Sequence, residues 1–434
     1  MTSVTKRGRF VFPDGVRWAA VSFHPVSGVI LSVEETQPDR NEEWLIFPGF
    51  VDVHVHAREY PPPPGDDSAE MTAWEGACLK ETFFSAGEAA LNGGVTLFGA
   101  MPNDPWPPRD RHSHRLKEIL AEESNCPVVT YAAVTPERCE PWGDFPYKVY
   151  LDARPSATAF SQWLPLEETL ARFRGHRIFF HAEDPEVLRE AGSGPRWKTR
   201  PPAAEVRAVE RILELTAKFG LSTHICHVST KEAVELIAEF NARGSERVTC
   251  EVTPHHLFFS VNRGAISSAV KYDCPDWRFL ECNPPVRSED DRAYLVDALQ
   301  GGKVHVLATD HAPHTIDDKK AGAPGMPHLD TLGPFVGWLM KDCGFSSVRI
   351  SEILSAAPAE IFSRDIDLAQ GVIEPGRAAS FTIIDPTSST KVGKGEILGR
   401  GPLKTRCGWS PFAGLTLPAL VRATVVRGRE YRFV

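Results

Sequence analysis

The segment PGFVDVHVHAR places His54, His56 and Arg58 on alternate positions. In an extended chain alternate side chains share a face, so these three would point the same way as Asp52. Two imidazoles at that spacing can hold a divalent cation, although a hydrogen-bonded interior pair would read the same way. Four further β-like runs carry chemistry of the same kind: YKVYLDA with Lys148, RIFFHAE with His181, LSTHICHV with His227 and KVHVLATD with Asp310. Imidazoles and a carboxylate suit zinc or a similar ion, and a catalytic site keeps a position open for water. An ammonium group at Lys148, between large apolar residues, is expensive. Carboxylated by CO2, that lysine becomes an anionic oxygen donor able to bridge two ions, which together would activate water and polarise a carbonyl.

These residues need elements that bring them to one place. Eight β-like runs, 50–56, 95–101, 127–134, 147–153, 177–183, 221–228, 247–252 and 303–310, alternate with helical patterns. Helices are expected at 83–92, 166–174, 203–219 and 231–243, each followed by glycine or a polar turn. The fold class is therefore α/β, a (β/α)8 TIM-like barrel over residues 48–371, whose strand ends hold the site. Residues 1–47 and 372–434 are rich in short β segments with Gly and Pro turns, and are expected to form one small β-sandwich domain from both chain ends.

Composition narrows the function classes. The 434 residues are 42% hydrophobic and 24% charged, with no apolar run long enough to span a bilayer. The net charge of −9, with no basic block interleaved with aromatics, argues against a nucleic-acid surface. It leaves room for a small anionic substrate, since one arginine in a dry pocket outweighs a distant surface field. The nine cysteines are odd in number and scattered without a CxxC pair, and the first residues lack a secretory apolar core. A reducing, cytoplasmic compartment is the expectation.

Taken as a set, PGFVDVHVHAR, KVYL, HAED, HICHVST, CEVTPHHL, NPPVR and LATDHAPHT resemble the amidohydrolase superfamily, and within it the dihydroorotases related to the domain found in multifunctional pyrimidine-synthesis enzymes. The resemblance runs from about Pro48 to His328 and continues in GWSPFAGLTLPALVRATVVRG. It implies two divalent ions, with zinc the expected metal. His54, His56 and Asp310 would hold one, His181 and His227 the other, and carboxylated Lys148 would bridge them. His224, three positions before His227, faces the other way in an extended strand and suits a hydrogen-bonded interior role. The resemblance assigns the substrate carboxylate to Arg58, Asn103 and His314, and the ring amides to Asn283 and the backbone near 324–326. Asn283 would otherwise serve the turn before two prolines. Cys226 and Glu251 are candidates for an auxiliary metal site, with packing and an ion pair as the alternatives. His255 and His256 are expected to orient ligands or to be structural.

The implied reaction is the reversible cyclisation of N-carbamoyl-L-aspartate to L-dihydroorotate, with Asp310 as both ligand and proton carrier. The alternatives are another cyclic-amide hydrolase (dihydropyrimidinase, hydantoinase or allantoinase), whose substrates do not call for the Arg58, Asn103 and His314 trio, and a non-catalytic scaffold. The scaffold would be expected to have lost ligands, and none is missing. A homo-oligomer is expected, with a transcarbamoylase as the candidate partner. Three departures from the family pattern stand out: REYPPPPGDDSAEMTAWEGACLKET inserts a proline-rich, acidic stretch read as a stiff polyproline rim, MPND replaces MPNT, and PGMPHLDT carries His328 where glycine is usual.

Overall fold

The protein is described by a computed structural model covering residues 3–38, 43–63, 65, 67–137, 139–154, 156–244, 248–262, 265–268 and 276–432. Mixed α/β structure fills the middle of the chain, and its parallel pairings follow chain order. Phe50–Val55 pairs with Val95–Ala100, which pairs with Val128–Thr130. After Tyr131, Ala132–Ala133 pairs with Tyr147–Leu151, and the series continues through Arg177–His181, Ser222–Ile225, Thr249–Val252 and Val306–Leu307. A parallel bridge between Val55 and His311, with His56 N–H donating to His311 O at 2.8 Å, joins the last member to the first. Each of the eight expected runs contributes a strand. Most strands end earlier than the hydrophobic pattern does: His54, Lys148 and His181 lie within their strands, whereas His56, Arg58, His227 and Asp310 follow theirs.

Helices lie between these strands. Phe83–Asn92 and Lys231–Arg243 have the expected bounds. Pro202–Phe219 buries Ala204, Ala208, Ile212, Leu215 and Phe219, a stripe at three- and four-residue spacing, and stops at Gly220 in the left-handed conformation, φ 62°. The helix expected from Leu166 starts at Trp163 and ends at Leu170. Pro165 falls in its first turn, where a missing N–H costs nothing, so the proline lies inside the helix rather than before it. Within Val95–Ala100, Gly99 faces the interior: a Cβ there would lie 2.6 Å from the rings of Phe362 and Tyr131. Those rings pack with Val51, Val53, Leu97, Phe179 and Val306 below the site.

The chain ends meet in one sheet of seven strands. Its order is Arg429–Tyr431, Leu420–Val426, Phe381–Asp385, Leu45–Pro48, Val4–Phe12, Gly15–Phe23, Ile30–Glu35. Phe10, Val21, Ile46, Phe381 and Val425 form its own core. The second layer of a sandwich is not among the described pairings. Leu45–Pro48 lies between strands from opposite ends of the chain and runs directly into Phe50–Val55. The inserted rim also differs from an all-extended segment. Residues 68–80 form the helix Ser68–Lys80, capped by Asp67 accepting from Ala69 N–H at 2.8 Å and burying none of its residues. Trp74 Nε1 donates to Tyr60 O at 2.8 Å, and Lys80 pairs with Asp318 at 3.5 Å, tying the helix to the segment 316–320. No helix among the described residues is long and apolar enough to cross a membrane.

Candidate active site

Four non-glycine residues among those described have positive φ, and three of them are Arg58 (61°), His227 (36°) and Asp310 (44°). Such backbone is costly for a side chain bearing a Cβ, and it concentrates where the surroundings hold a functional group in place. Here it corrects the simple alternation argument. Phe50–Val55 ends before Arg58, with a register shift between Asp52 and Val55, so a turn and not the strand period aims the guanidinium. Asp52 accepts from His54 N–H and Thr309 N–H, both at 3.1 Å, and so links the first and last strands beneath the site.

One donor group is formed by His54, His56 and Asp310, whose ligand atoms lie within 4.8 Å of one another, all buried. Asp310 Oδ1 is 3.3 Å from His54 Nε2 and 3.2 Å from His56 Nε2. The opposite nitrogen of each ring is held: His54 Nδ1 by Glu251 and His56 Nδ1 by Asn103 Oδ1 at 2.7 Å. A partner on Nδ1 fixes the ring so that Nε2 faces a metal. Burial alone would raise the Asp310 carboxyl, but the charge of His54 and the contacts of His56 hold it down at about 2. Burial drives His56 down to about 3. His54 goes the other way, lifted against burial to about 10 by Glu251 and Asp310.

His54 also faces a second group, with Cys226 and Glu251. Glu251 accepts in addition from His227 N–H at 3.1 Å and contacts His224 Nε2 at 3.0 Å, while Thr249 Oγ1 lies 2.8 Å from His224 Nδ1. His224 is thus a hydrogen-bonded interior histidine. His227 instead turns its Nε2 to His181 Nδ1 at 2.9 Å, with its ring 5.2 Å from that of His54. His181 Nε2 is 3.0 Å from Glu183, which receives Arg200 Nε at 2.8 Å; Arg200 in turn reaches Asp152 at 2.8 Å. Lys148 is completely buried, its Nζ donates to Cys226 Sγ at 2.8 Å and lies 5.1 Å from the Tyr150 ring, and no carboxylate pairs with it.

The polar wall beside these groups is formed by Arg58 and His314. Arg58 Nε donates to Pro313 O at 3.2 Å, and its Nη2 lies 3.3 Å from His314 Nε2. Burial, and then the charge of Arg58, push His314 down to about 2, so it is a neutral imidazole beside a fixed cation. Asn103 spends its oxygen on His56, which leaves its amide hydrogens for an anion. Asn283 Oδ1 accepts from Arg196 Nη1 at 2.8 Å, and both line a cavity of about 590 Å³ with Asp152, Arg200 and Pro324.

Two of the three participants here, Arg196 and Arg200, were not visible in the motifs. Arg196 holds Asn283, and the Glu183 and Arg200 pair holds His181; only Glu183, within HAED, left a signal. Two departures acquire partners. Asp104 of MPND forms a buried ion pair with Lys117, and His328 stacks on His255 at 5.1 Å.

Comparison with known proteins identifies the family and the fold. The amidohydrolase family profile matches residues 45–430. A dihydroorotase of Pyrococcus furiosus is 30% identical over 384 residues, covering 88% of this chain and 80% of the relative. One from Lactiplantibacillus plantarum is 31% identical over 410 residues, covering 90% and 88%. Among solved structures, an L-hydantoinase (dihydropyrimidinase) of Arthrobacter aurescens superposes with a TM-score of 0.78 at 22% identity, covering 98% of this chain and 94% of its own. The dihydropyrimidinase of Brevibacillus agri gives 0.76 at 19% identity, covering 100% and 96%. At those identities the likeness is one of fold. Family profile, relatives and the clustered donors together place the chain in the amidohydrolase family, as a cyclic-amide hydrolase.

Proposed function

We propose that the chain is a dihydroorotase, interconverting N-carbamoyl-L-aspartate and L-dihydroorotate with release or uptake of one water, on a (β/α)8 barrel. The supporting observation is the Arg58 and His314 pair at 3.3 Å, beside the His54, His56 and Asp310 group, with Asn103 held to His56 by its oxygen so that its amide hydrogens stay unspent. A guanidinium fork, a neutral imidazole and an amide N–H make a receptor for one carboxylate, which dihydroorotate has and dihydrouracil lacks.

In this reading His54, His56 and Asp310 would hold one divalent ion and His181 and His227 a second, with Lys148, once carboxylated, as a further anionic ligand. Two ions so held supply a nucleophile near neutral pH and polarise the ring carbonyl. The protein does the rest. Arg58, Asn103 and His314 fix the carboxylate and so the ring. Asn283, braced by Arg196, meets a ring amide. Asp310, ionised because its neighbours hold it low, takes a proton from water and delivers it to the leaving ring nitrogen; in ring closure the proton runs back.

The testing experiment is a ring-opening and ring-closure assay of metal-replete protein with dihydroorotate, dihydrouracil, hydantoin and allantoin. Dihydroorotate should be turned over best. Turnover of dihydrouracil or allantoin without dihydroorotate would replace this reading with that of another cyclic-amide hydrolase.

A further inference from the structure

A second set of donors lies outside the residues assigned to the hydrolytic centre. His255 and His256 occupy the short helix Pro254–Phe258, whose N-cap is Thr253, and Cys282 immediately precedes Asn283. One nitrogen of each ring and Cys282 Sγ lie within 4.8 Å of one another, and the three residues are 1%, 2% and 1% exposed. Both rings are held by Nδ1: His255 by His328 Nε2 at 3.0 Å, His256 by Thr253 Oγ1 at 2.8 Å. The nitrogen left on His256 lies 3.1 Å from Pro284 O. The nitrogen left on His255 has no hydrogen-bond partner among the described residues, at a depth where such groups are nearly always satisfied.

We propose that His255, His256 and Cys282 form a further metal site for a zinc-class cation, with His328 as the residue that orients His255. Two imidazoles with a thiolate favour zinc over magnesium or manganese; His255 presents Nε2 directly, and His256 would give up its Nε2–H bond to Pro284 O for the metal, its proton passing to Nδ1, where Thr253 Oγ1 accepts it. The unsatisfied Nε2 of His255 gains its missing partner. As the sulfur–metal bond forms, the thiol proton of Cys282 leaves to solvent. The site also accounts for His328 in place of the usual glycine, since glycine has no ring to hold His255. Its effect is to staple the helix Pro254–Phe258 to the segment that carries Asn283. None of this depends on which cyclic amide is the substrate.

The test is metal counting on the full-length, zinc-replete protein, together with the near-ultraviolet thiolate-to-cobalt absorption of the cobalt-loaded protein. Cys282→Ser should hold one ion fewer per chain than the wild type and lose thiolate absorption that Cys226→Ser retains. His255→Gln should likewise lose one ion, and it carries the test if Cys282→Ser does not fold by circular dichroism. An unchanged ion count in folded Cys282→Ser or His255→Gln overturns the proposal. So does a cobalt absorption that Cys226→Ser alone abolishes.

Discussion

Replacing Arg58 with methionine tests the substrate assignment at its narrowest point. The backbone at this position is left-handed for any residue with a Cβ, so the exchange alters the fork and the charge without adding backbone strain. Burial pulls the guanidinium below its ordinary range, with Asp310 as the leading opposing charge, so little solvent competes for the fork. Hydrogen bonds to a charged group contribute about 1.5–3 kcal/mol each. Losing two parallel ones should cost about 3–6 kcal/mol of transition-state binding, or roughly 10²–10⁴ in kcat/KM. Arg58→Lys, which keeps the charge and loses the fork, should recover about tenfold of that. The assay is ring opening of dihydroorotate and of dihydrouracil by each variant. Only the carboxylate-bearing substrate should suffer, with any slow dihydrouracil turnover changing less than about threefold. Equal losses on both substrates, or none on dihydroorotate, would refute the carboxylate role.

Other outcomes follow from the same geometry. Lys148→Ala should lower the ions held per chain and abolish turnover; two retained ions with full activity would exclude the bridging role. Asp310→Asn should reduce kcat by about 10²–10⁴, with metal content reported alongside to separate lost proton transfer from lost ligation. His314 and His328 are held down at about 2 and about 3, chiefly by burial, against 6.5 for an ordinary histidine. The unfolded chain therefore binds more protons below pH 6.5, and stability is full above that pH and lost as pH falls toward the folded values. At pH 5 each contributes a loss of about 2 kcal/mol at 1.36 kcal/mol per unit, visible as a lower urea midpoint of metal-stripped protein at pH 5 than at pH 7. His314→Asn should flatten that dependence. Gly99→Ala should destabilise by about 1–3 kcal/mol, read from urea unfolding, because its Cβ meets the Phe362 and Tyr131 rings at 2.6 Å.

What could be read in the sequence was whatever obeys a local period. Alternation pointed to His54 and His56 together and to His224 and His227 apart, although His56 and His227 lie just past the ends of their strands and His227 turns on a left-handed backbone. Arg58 came to the right wall by a turn that no period encodes. The braces Arg196 on Asn283 and Arg200 on Glu183 join residues 87 and 17 positions apart, so nothing local announces them. The helix Ser68–Lys80 escaped for a different reason. It buries no residue, so it has no apolar stripe for the sequence to display. Asn103 was legible as a polar residue of the MPN motif, but its hold on His56 appears only when two strand ends are brought together.

Leu45–Pro48 has a bearing on the order in which the protein becomes active. It is the rail on which Phe50–Val55 begins, and its two neighbours are Val4–Phe12, made first, and Phe381–Asp385, made near the end. During synthesis Leu45–Pro48 is therefore paired on one side only until Phe381–Asp385 emerges, while Phe50–Val55 already has its partner in Val95–Ala100. The platform on which the His54 strand begins should therefore be completed late, by Phe381–Asp385.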